Sequence, residues 1–336
     1  MKEAGRRRVA VTGGAGFIGF HLTRALITEG AEVTVLDDLS TGRRDNLPDG
    51  IEFVKGDVRN PAVLKRVFVG ADVVFHLAAI ASVARCEKEV HRSHAINLGG
   101  TVAVIEAVRD AAPTAPIIYA SSAAVYGIPE QLPLPETAAT VPLGFYGLDK
   151  LAGENALRKA TSAFCLNAVA LRLFNVYGAR QDPHSPYSGV ISIFADRLAR
   201  GLPTAIHGDG EQTRDFIRAE DVARHFAAAA DMASTAPRGT FEVFNVCTGT
   251  ATTINTLYGT IAAAHGIAST PVYGPPKAGD IRHSCGDRTR ARARLAVGEP
   301  MVFGEGLPAY MAAAVRESLQ RVGSCDASVR NRMAVG

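Results

Sequence analysis

Short, mostly apolar runs alternate with longer segments of helical periodicity through the first half of the chain. Residues 9–11, 32–36, 51–54, 71–76 and 116–120 each read as a buried strand, because such runs leave little polar surface on either face. Between them the apolar positions recur at helical spacing: up to about Glu29, onward from Pro61, and from about His94 to Ala111. A buried strand followed by a helix, repeated four times in about 110 residues, predicts an α/β fold with a Rossmann-like, doubly wound parallel sheet. A last apolar run at 241–246 returns the chain to that sheet. Residues 1–176 plus about 216–249 are therefore expected to form the sheet domain. About 177–215 plus 250–320 are expected to form a smaller, discontinuous C-terminal lobe. The polar, small residues 321–336 are expected to be a poorly ordered tail.

The turns between these elements carry the first chemistry. Val9-Ala10-Val11 runs into Thr12-Gly13-Gly14-Ala15-Gly16-Phe17-Ile18-Gly19 and then a helix. Glycines in a strand–turn–helix context let the backbone approach a pyrophosphate, whose charge sits on the helix N-terminus. Asp37 ends the second strand, 18 residues past Gly19. An acid there accepts from ribose hydroxyls and repels a 2′-phosphate, which favours NAD over NADP. Arg43 and Arg44 lie close by and speak the other way. Asp57, in Gly56-Asp57-Val58, suits either an adenine contact or an N-cap for the helix from Pro61. His76 reads as a packed core histidine. Leu77-Ala78-Ala79 leaves room for a cofactor at a strand's carboxyl end.

The second chemistry lies between Tyr119 and Lys150. The strand at 116–120 leads into Ser121 and Ser122, and a loop rich in proline and glycine follows. Tyr146 and Lys150 then open a long helical pattern on one face, four residues apart. A free tyrosine, with a pKa of about 10, is a poor base at neutral pH. An ammonium one turn away favours the phenolate and lowers that value. A serine hydroxyl can hold the substrate oxygen while the proton moves.

Composition narrows the partners. A net charge of +3 on 336 residues is too small to argue for nucleic acid or an anionic membrane. Arg288, Arg290, Arg292 and Arg294 have no interleaved aromatics and read as a solvated helix face. The five cysteines show no CxxC and no metal-ligand spacing, which fits free thiols in a reducing compartment. No run of 18 apolar residues occurs, and the basic start at 2–8 is followed by too short an apolar stretch for a signal sequence. A cytoplasmic protein without membrane partners is expected.

In these motifs the chain resembles the extended short-chain dehydrogenase/reductases of the nucleotide-sugar epimerase/dehydratase family. The marks are Thr12 through Gly19, Asp37, Gly56-Asp57-Val58, His76-Leu77-Ala78-Ala79, Asn97, Ser121-Ser122-Ala123-Ala124-Val125-Tyr126-Gly127, and Tyr146 with Lys150. They continue in Arg172-Leu173-Phe174-Asn175-Val176-Tyr177-Gly178, Gly208-Asp209-Gly210-Glu211-Gln212-Thr213-Arg214-Asp215-Phe216 and Gly279-Asp280-Ile281-Arg282-His283-Ser284. The resemblance implies Ser122, Tyr146 as base, and Lys150 as the catalytic set. It implies tightly bound NAD held by Gly13, Gly16, Phe17, Ile18, Gly19, Asp37, Asp57, Val58, Leu77, Ala78, Ala79, Asn97, Tyr146 and Lys150. It places a UDP-sugar against Ser122, Asn175, Val190, Ile206, Arg214, Lys277, Asp280 and Ser284, with Arg214 clamping the diphosphate. It also implies a homodimer formed through the helices at about 94–111 and 146–162.

Within that family, Ala123 and Ala124 stand where eliminating or decarboxylating relatives carry acids, and a methyl cannot transfer a proton. The expectation is therefore an NAD-dependent 4-epimerase working through transient C4 oxidation. The segment 180–191 and the small Ser284 resemble members that accept UDP-GlcNAc and UDP-GalNAc, with UDP-Glc and UDP-Gal admitted by the same pocket. Lys277, in place of an arginine, and Ile80, in place of a polar residue, depart from the family pattern on the substrate side. They keep open a 4-ketoreductase using NAD(P)H, or an epimerase of another NDP-sugar such as UDP-GlcA.

Overall fold

Strand β1 (Arg8–Thr12) is buried from Val9 onward, because helices cover both faces of a central parallel strand. The chain continues through α1 (Phe17–Thr28), β2 (Glu32–Asp37), β3 (Glu52–Lys55), α2 (Pro61–Phe68), β4 (Val73–His76), α3 (Val83–Lys88), α4 (Val90–Ala111), β5 (Ile117–Ser122), α5 (Phe145–Phe164) and β6 (Ala168–Leu173). Then follow β7 (Asn175–Tyr177), α6 (Val190–Ala199), β8 (Ala205–His207), β9 (Thr213–Arg214), β10 (Phe216–Arg218) and α7 (Ala219–Thr235). The last elements are β11 (Phe241–Val246), β12 (Thr252–Thr253), α8 (Ile254–Ala264), β13 (Val272–Gly274) and α9 (Thr289–Leu295). This computed structural model describes residues 6–181, 189–277, 279–308 and 310–311. The expected tail at 321–336 and most of the loop before Val190 lie outside the described residues.

Seven strands form one sheet in the order β11-β6-β5-β4-β1-β2-β3, every pair parallel. The winding direction reverses at β1, so β1 and β4 part at their carboxyl ends and leave a crevice there. Side chains alternate between two cores, as a period of two requires. Val9 and Val11 pack with Leu22 and Leu26 of α1 and Phe226 of α7. Ala10 packs on the other face with Leu64 of α2, Val104 of α4 and Leu157 of α5.

A separate core joins Tyr177, Ile191, Phe194, Leu198 and Ile206 to Phe216, Leu257, Ile261 and Leu307. The smaller lobe thus draws on pieces of chain far apart in sequence. One expectation fails here: α9 is not part of that lobe, because Ala291 and Leu295 pack into the sheet core beside α7 and β11. The arginines Arg290, Arg292 and Arg294 are exposed, the capping Arg288 is partly buried, and all four are paired. Arg290 and Arg294 pair with Glu242 of β11, and Arg288 and Arg292 pair with Glu299. Among the described residues no helix is long and apolar enough to cross a membrane.

Candidate active site

Strand β5 carries Ser122 to the carboxyl edge of the sheet, where its Oγ accepts from the Ala124 backbone N–H at 3.1 Å. Helix α5 begins beside it. Glu87 accepts from the first helical N–H, that of Phe145, at 2.9 Å, standing in for a cap that Gly144 cannot provide. This placement turns Tyr146 and Lys150 toward β5. Lys150 is buried, its Nζ donates to the Ala120 carbonyl at 2.7 Å, and it lies 5.8 Å from the centre of the Tyr146 ring. Serine, tyrosine and lysine are therefore brought to one place.

Their proton affinities differ from the expectation. Burial pushes the half-buried Tyr146 phenol up to about 12, although the neighbouring Ser122 hydroxyl pulls the other way. Burial likewise draws Lys150 down to about 8, against the upward pull of Cys86, Asp149 and Glu154. Desolvation is the largest influence on the phenol, and the Lys150 ammonium meanwhile donates to the Ala120 carbonyl. His76 is the core residue expected. Its ring nitrogens face Thr12 and Thr101 at 2.8 and 3.1 Å, and it stacks on Tyr119.

The glycine turn fits a dinucleotide. Gly13 has φ 74°, and a Cβ built on it would lie 2.6 Å from the Ala78 nitrogen, so the turn and the end of β4 touch backbone to backbone. Gly16 caps α1 with no side-chain bond, leaving the first-turn amides of Phe17 and Ile18 without a side-chain acceptor. Leu77 and Ala78 are tied to β1 through Thr12, whose carbonyl and hydroxyl take their N–H groups at 3.0 and 3.4 Å; Ala79 follows, half-buried. Asp37 is buried at the end of β2 and accepts from Ala15 and Leu39 backbone at 3.0 and 2.8 Å. Burial raises its carboxyl, and the two backbone donors oppose that. Arg43 is bonded to Asp45 and Arg44 lies over the Phe53 ring at 5.0 Å, so both are engaged away from Asp37.

Two cofactor-side residues differ from the simplest expectation. Asp57 pairs with Arg59 at 2.5 Å, and Asn60, not Asp57, caps α2. Val58 is buried against Gly100 of α4. Asn97 is also buried, and its amide brackets Ile80: Nδ2 donates to the Ile80 carbonyl at 3.2 Å while Oδ1 takes the Ile80 N–H at 2.8 Å. Its side chain thus fixes the loop after β4.

Across the crevice, Asn175 is exposed at the start of β7, and Val190 opens α6, partly buried in the smaller core. The Ile206 side chain lies in that core at 1% exposure, so only its backbone could meet a ligand. Arg214 pairs with Asp280 at 2.5 Å rather than with its neighbours Glu211 or Asp215. Lys277 is exposed, and its carbonyl takes the Asp280 N–H; Ser284 N–H is bonded to the Thr213 carbonyl at 3.1 Å. Residues 279–284 therefore lie against β9 and bring Asp280 and Ser284 to Arg214.

Asp215 is a residue that the sequence reading missed. It is fully buried and accepts from Thr248 (backbone 2.8 Å, hydroxyl 2.6 Å), the Gly249 N–H at 2.9 Å and the Gly286 N–H at 3.3 Å. It holds together the three segments that surround Arg214. Its position beside Arg214 in the sequence was the only available signal.

Glycine turn, switch-point crevice and a serine–tyrosine–lysine cluster at the sheet's carboxyl edge define a short-chain dehydrogenase/reductase of the extended kind, with a second lobe over the crevice. The profile of the NAD dependent epimerase/dehydratase family matches residues 9–247, and the chain belongs to that family; NAD is its cofactor. A UDP-glucose 4-epimerase of Mycolicibacterium smegmatis is 38% identical over 306 residues, covering 89% of this chain and 96% of that protein. Among solved structures, a UDP-N-acetylglucosamine 4-epimerase from Methanobrevibacter ruminantium, in complex with UDP-N-acetylmuramic acid, has a TM-score of 0.86. It is 33% identical and covers 93% of this chain and 99% of that one. A UDP-glucose 4-epimerase of Thermus thermophilus in complex with NAD has a TM-score of 0.82 and 34% identity, covering 91% and 98%.

Proposed function

We propose that the protein is an NAD-dependent 4-epimerase of UDP-sugars, acting on UDP-GlcNAc/UDP-GalNAc and also on UDP-Glc/UDP-Gal. The observation that carries this reading is the Ser122–Tyr146–Lys150 cluster followed at once by Ala123 and Ala124. The site can move one proton and holds two methyl groups where elimination would need acid and base. Bound NAD supplies the acceptor and donor of the C4 hydrogen. Ser122 holds the 4-hydroxyl oxygen and Tyr146 takes its proton. Lys150, charged at neutral pH, stabilises the phenolate so formed. The first turn of α1 and the backbone at Gly13 would hold the pyrophosphate, and Asp37 the adenosine ribose.

On the other side, Arg214 would grip the substrate diphosphate, exchanging Asp280 for phosphate oxygens as its partner. Binding energy concentrated there leaves the keto sugar free to turn before the hydrogen returns to its other face. Ser284, small and half-buried beside β9, leaves volume for a 2-acetamido group. A cytoplasmic homodimer completes the proposal. Cys86, Cys165, Cys247 and Cys285 are unpaired, and α4 and α5 pack side by side with Val102 and Leu148 exposed for a second copy.

The test is incubation of purified protein, without added cofactor, with UDP-GlcNAc, UDP-Glc and UDP-GlcA separately, followed by NMR. Appearance of the C4 epimer without net NADH supports the reading and ranks the sugars. Oxidation or reduction seen only after NAD(P) addition would replace it with a dehydrogenase or ketoreductase.

A further inference from the structure

A row of buried polar side chains lies beneath the catalytic strand end. Ser121, Arg172 and Asn245 stand in register on β5, β6 and β11, all of them buried. Glu154 joins them from α5, one turn beyond Lys150 and on the same helix face as Tyr146. Ser121 Oγ donates to Glu154 Oε1 at 2.5 Å. Arg172 grips the same carboxylate with Nε at 3.0 Å and Nη2 at 2.8 Å. It also sends Nη1 to the Glu136 carbonyl at 3.1 Å and lies over the Tyr126 ring at 4.8 Å. Tyr126 in turn donates to Asn245 Oδ1 at 2.6 Å.

Desolvated ion pairs of this kind add little stability over an apolar pair of similar volume. What they add is direction: a two-pronged arginine–carboxylate bond accepts one orientation, whereas an apolar contact tolerates sliding. Here the fixed point is shared. Glu154 holds the helix that carries Tyr146 and Lys150, and its Ser121 bond holds the residue next to Ser122. Both halves of the catalytic set are therefore referred to one carboxylate.

We infer that Glu154, with Arg172 and Ser121, is a positioning unit that keeps the Tyr146–Lys150 turn of α5 in register with Ser122; the inference rests on the reading above, in which those three residues perform the chemistry. None of the three positioning residues faces the substrate. Their removal acts on the rate of the reaction and not on binding, because a misplacement of about 1 Å can lower a rate by about 100-fold.

The experiment uses the holoenzyme with two variants. Glu154→Leu/Arg172→Met removes both charges together, which avoids leaving one of them buried alone. Ser121→Ala keeps the ion pair and removes only the tie to the strand. The expected result for the double variant is a parental melting temperature and NAD content, kcat lower by about 10- to 100-fold and KM within about threefold. Ser121→Ala loses a smaller factor in kcat, again at constant KM. Amide hydrogen exchange over residues 146–150 speeds up in both variants while the rest of α5 is unchanged.

Parental kcat in both variants, or unaltered exchange at 146–150, overturns the inference. So does a loss of kcat that tracks loss of NAD and rise of KM, the mark of a merely structural role. If the double variant does not fold, Ser121→Ala decides by the same readings. A parent enzyme that epimerises no UDP-sugar refutes the functional reading instead, and exchange at 146–150 then decides this inference alone.

Discussion

Replacing Gly13 by alanine would impose two separate costs on one methyl group. The backbone there has φ 74°, a region that costs an L-residue about 1–2 kcal/mol. The new Cβ would also lie 2.6 Å from the Ala78 nitrogen, 2.8 Å from its Cα and 2.9 Å from the Leu77 carbonyl carbon. All three atoms are backbone, held to β1 by Thr12, so no side-chain rotation relieves the contact. Forced separation of packed elements adds about 1–3 kcal/mol, for a total of about 2–5 kcal/mol. Gly30 supplies the control. Its φ is 84°, yet nothing lies within 4 Å of the place a methyl would take there, so Gly30→Ala carries only the first cost. Reduced freedom of the unfolded chain offsets part of that cost. Urea unfolding of parent and both variants at one NAD concentration, with bound NAD quantified, separates the two effects. Gly13→Ala is expected to lose about 2–5 kcal/mol and most of its NAD, and Gly30→Ala no more than about 1–2 kcal/mol and none of its NAD. Equal destabilisation, or parental NAD content in Gly13→Ala, would refute the close-contact argument.

Four further outcomes follow from the site. Tyr146→Phe should lower turnover by at least about 100-fold while NAD remains bound; activity within about tenfold of the parent would remove Tyr146 as the base. Lys150, drawn down to about 8, should lose its charge as pH rises through that value, so kcat falls on an alkaline limb near pH 8; a limb near 10 would contradict the burial. The same residue bears on stability. Its native value lies below the 10.5 of an unperturbed lysine, so it weakens the fold below about pH 8 and ceases to do so by about 10.5, a trend that Lys150→Met should abolish in unfolding curves. Arg214→Lys should raise KM for the UDP-sugar about tenfold with kcat within about threefold, since a point charge replaces a fork that binds ground and transition states alike; a loss confined to kcat would contradict this.

The parts of this site that were legible in the sequence are local. The glycine turn, Asp37, and the Tyr146–Lys150 spacing lie within single strand–turn or helix units, where side-chain period and backbone conformation dictate position. What was illegible depends on distant chain. Arg214 has acids on both sides in sequence, yet pairs with Asp280, because residues 279–284 dock on β9. Asp57 looked equally suited to capping α2, a role that Asn60 takes. The Tyr146 and Lys150 proton affinities are governed first by burial, which the four-residue spacing does not report. Glu154 and Arg172 look like ordinary surface charges in the linear pattern and become a buried pair only once α5 lies on β6. The arginines of α9 found acceptors on β11 and at Glu299, which no local periodicity could reveal.

The split composition of the smaller lobe has a consequence for how the chain matures. Ile191, Phe194 and Leu198 of α6 are covered by Leu257, Tyr258 and Ile261 of α8. On a chain made from its N-terminus, α6 emerges with that apolar side bare and stays so until residues beyond 254 have been synthesised. The sheet also lacks its edge strand β11 during most of that interval. A chain released at residue 247 would keep all seven strands of the sheet and the glycine turn but leave α6 without its cover. Such a fragment is expected to associate through that surface, and a fluorescent apolar dye should bind it and not the full chain. The last quarter of the polypeptide is thus the cover for an apolar face of α6 that the preceding three quarters cannot bury alone.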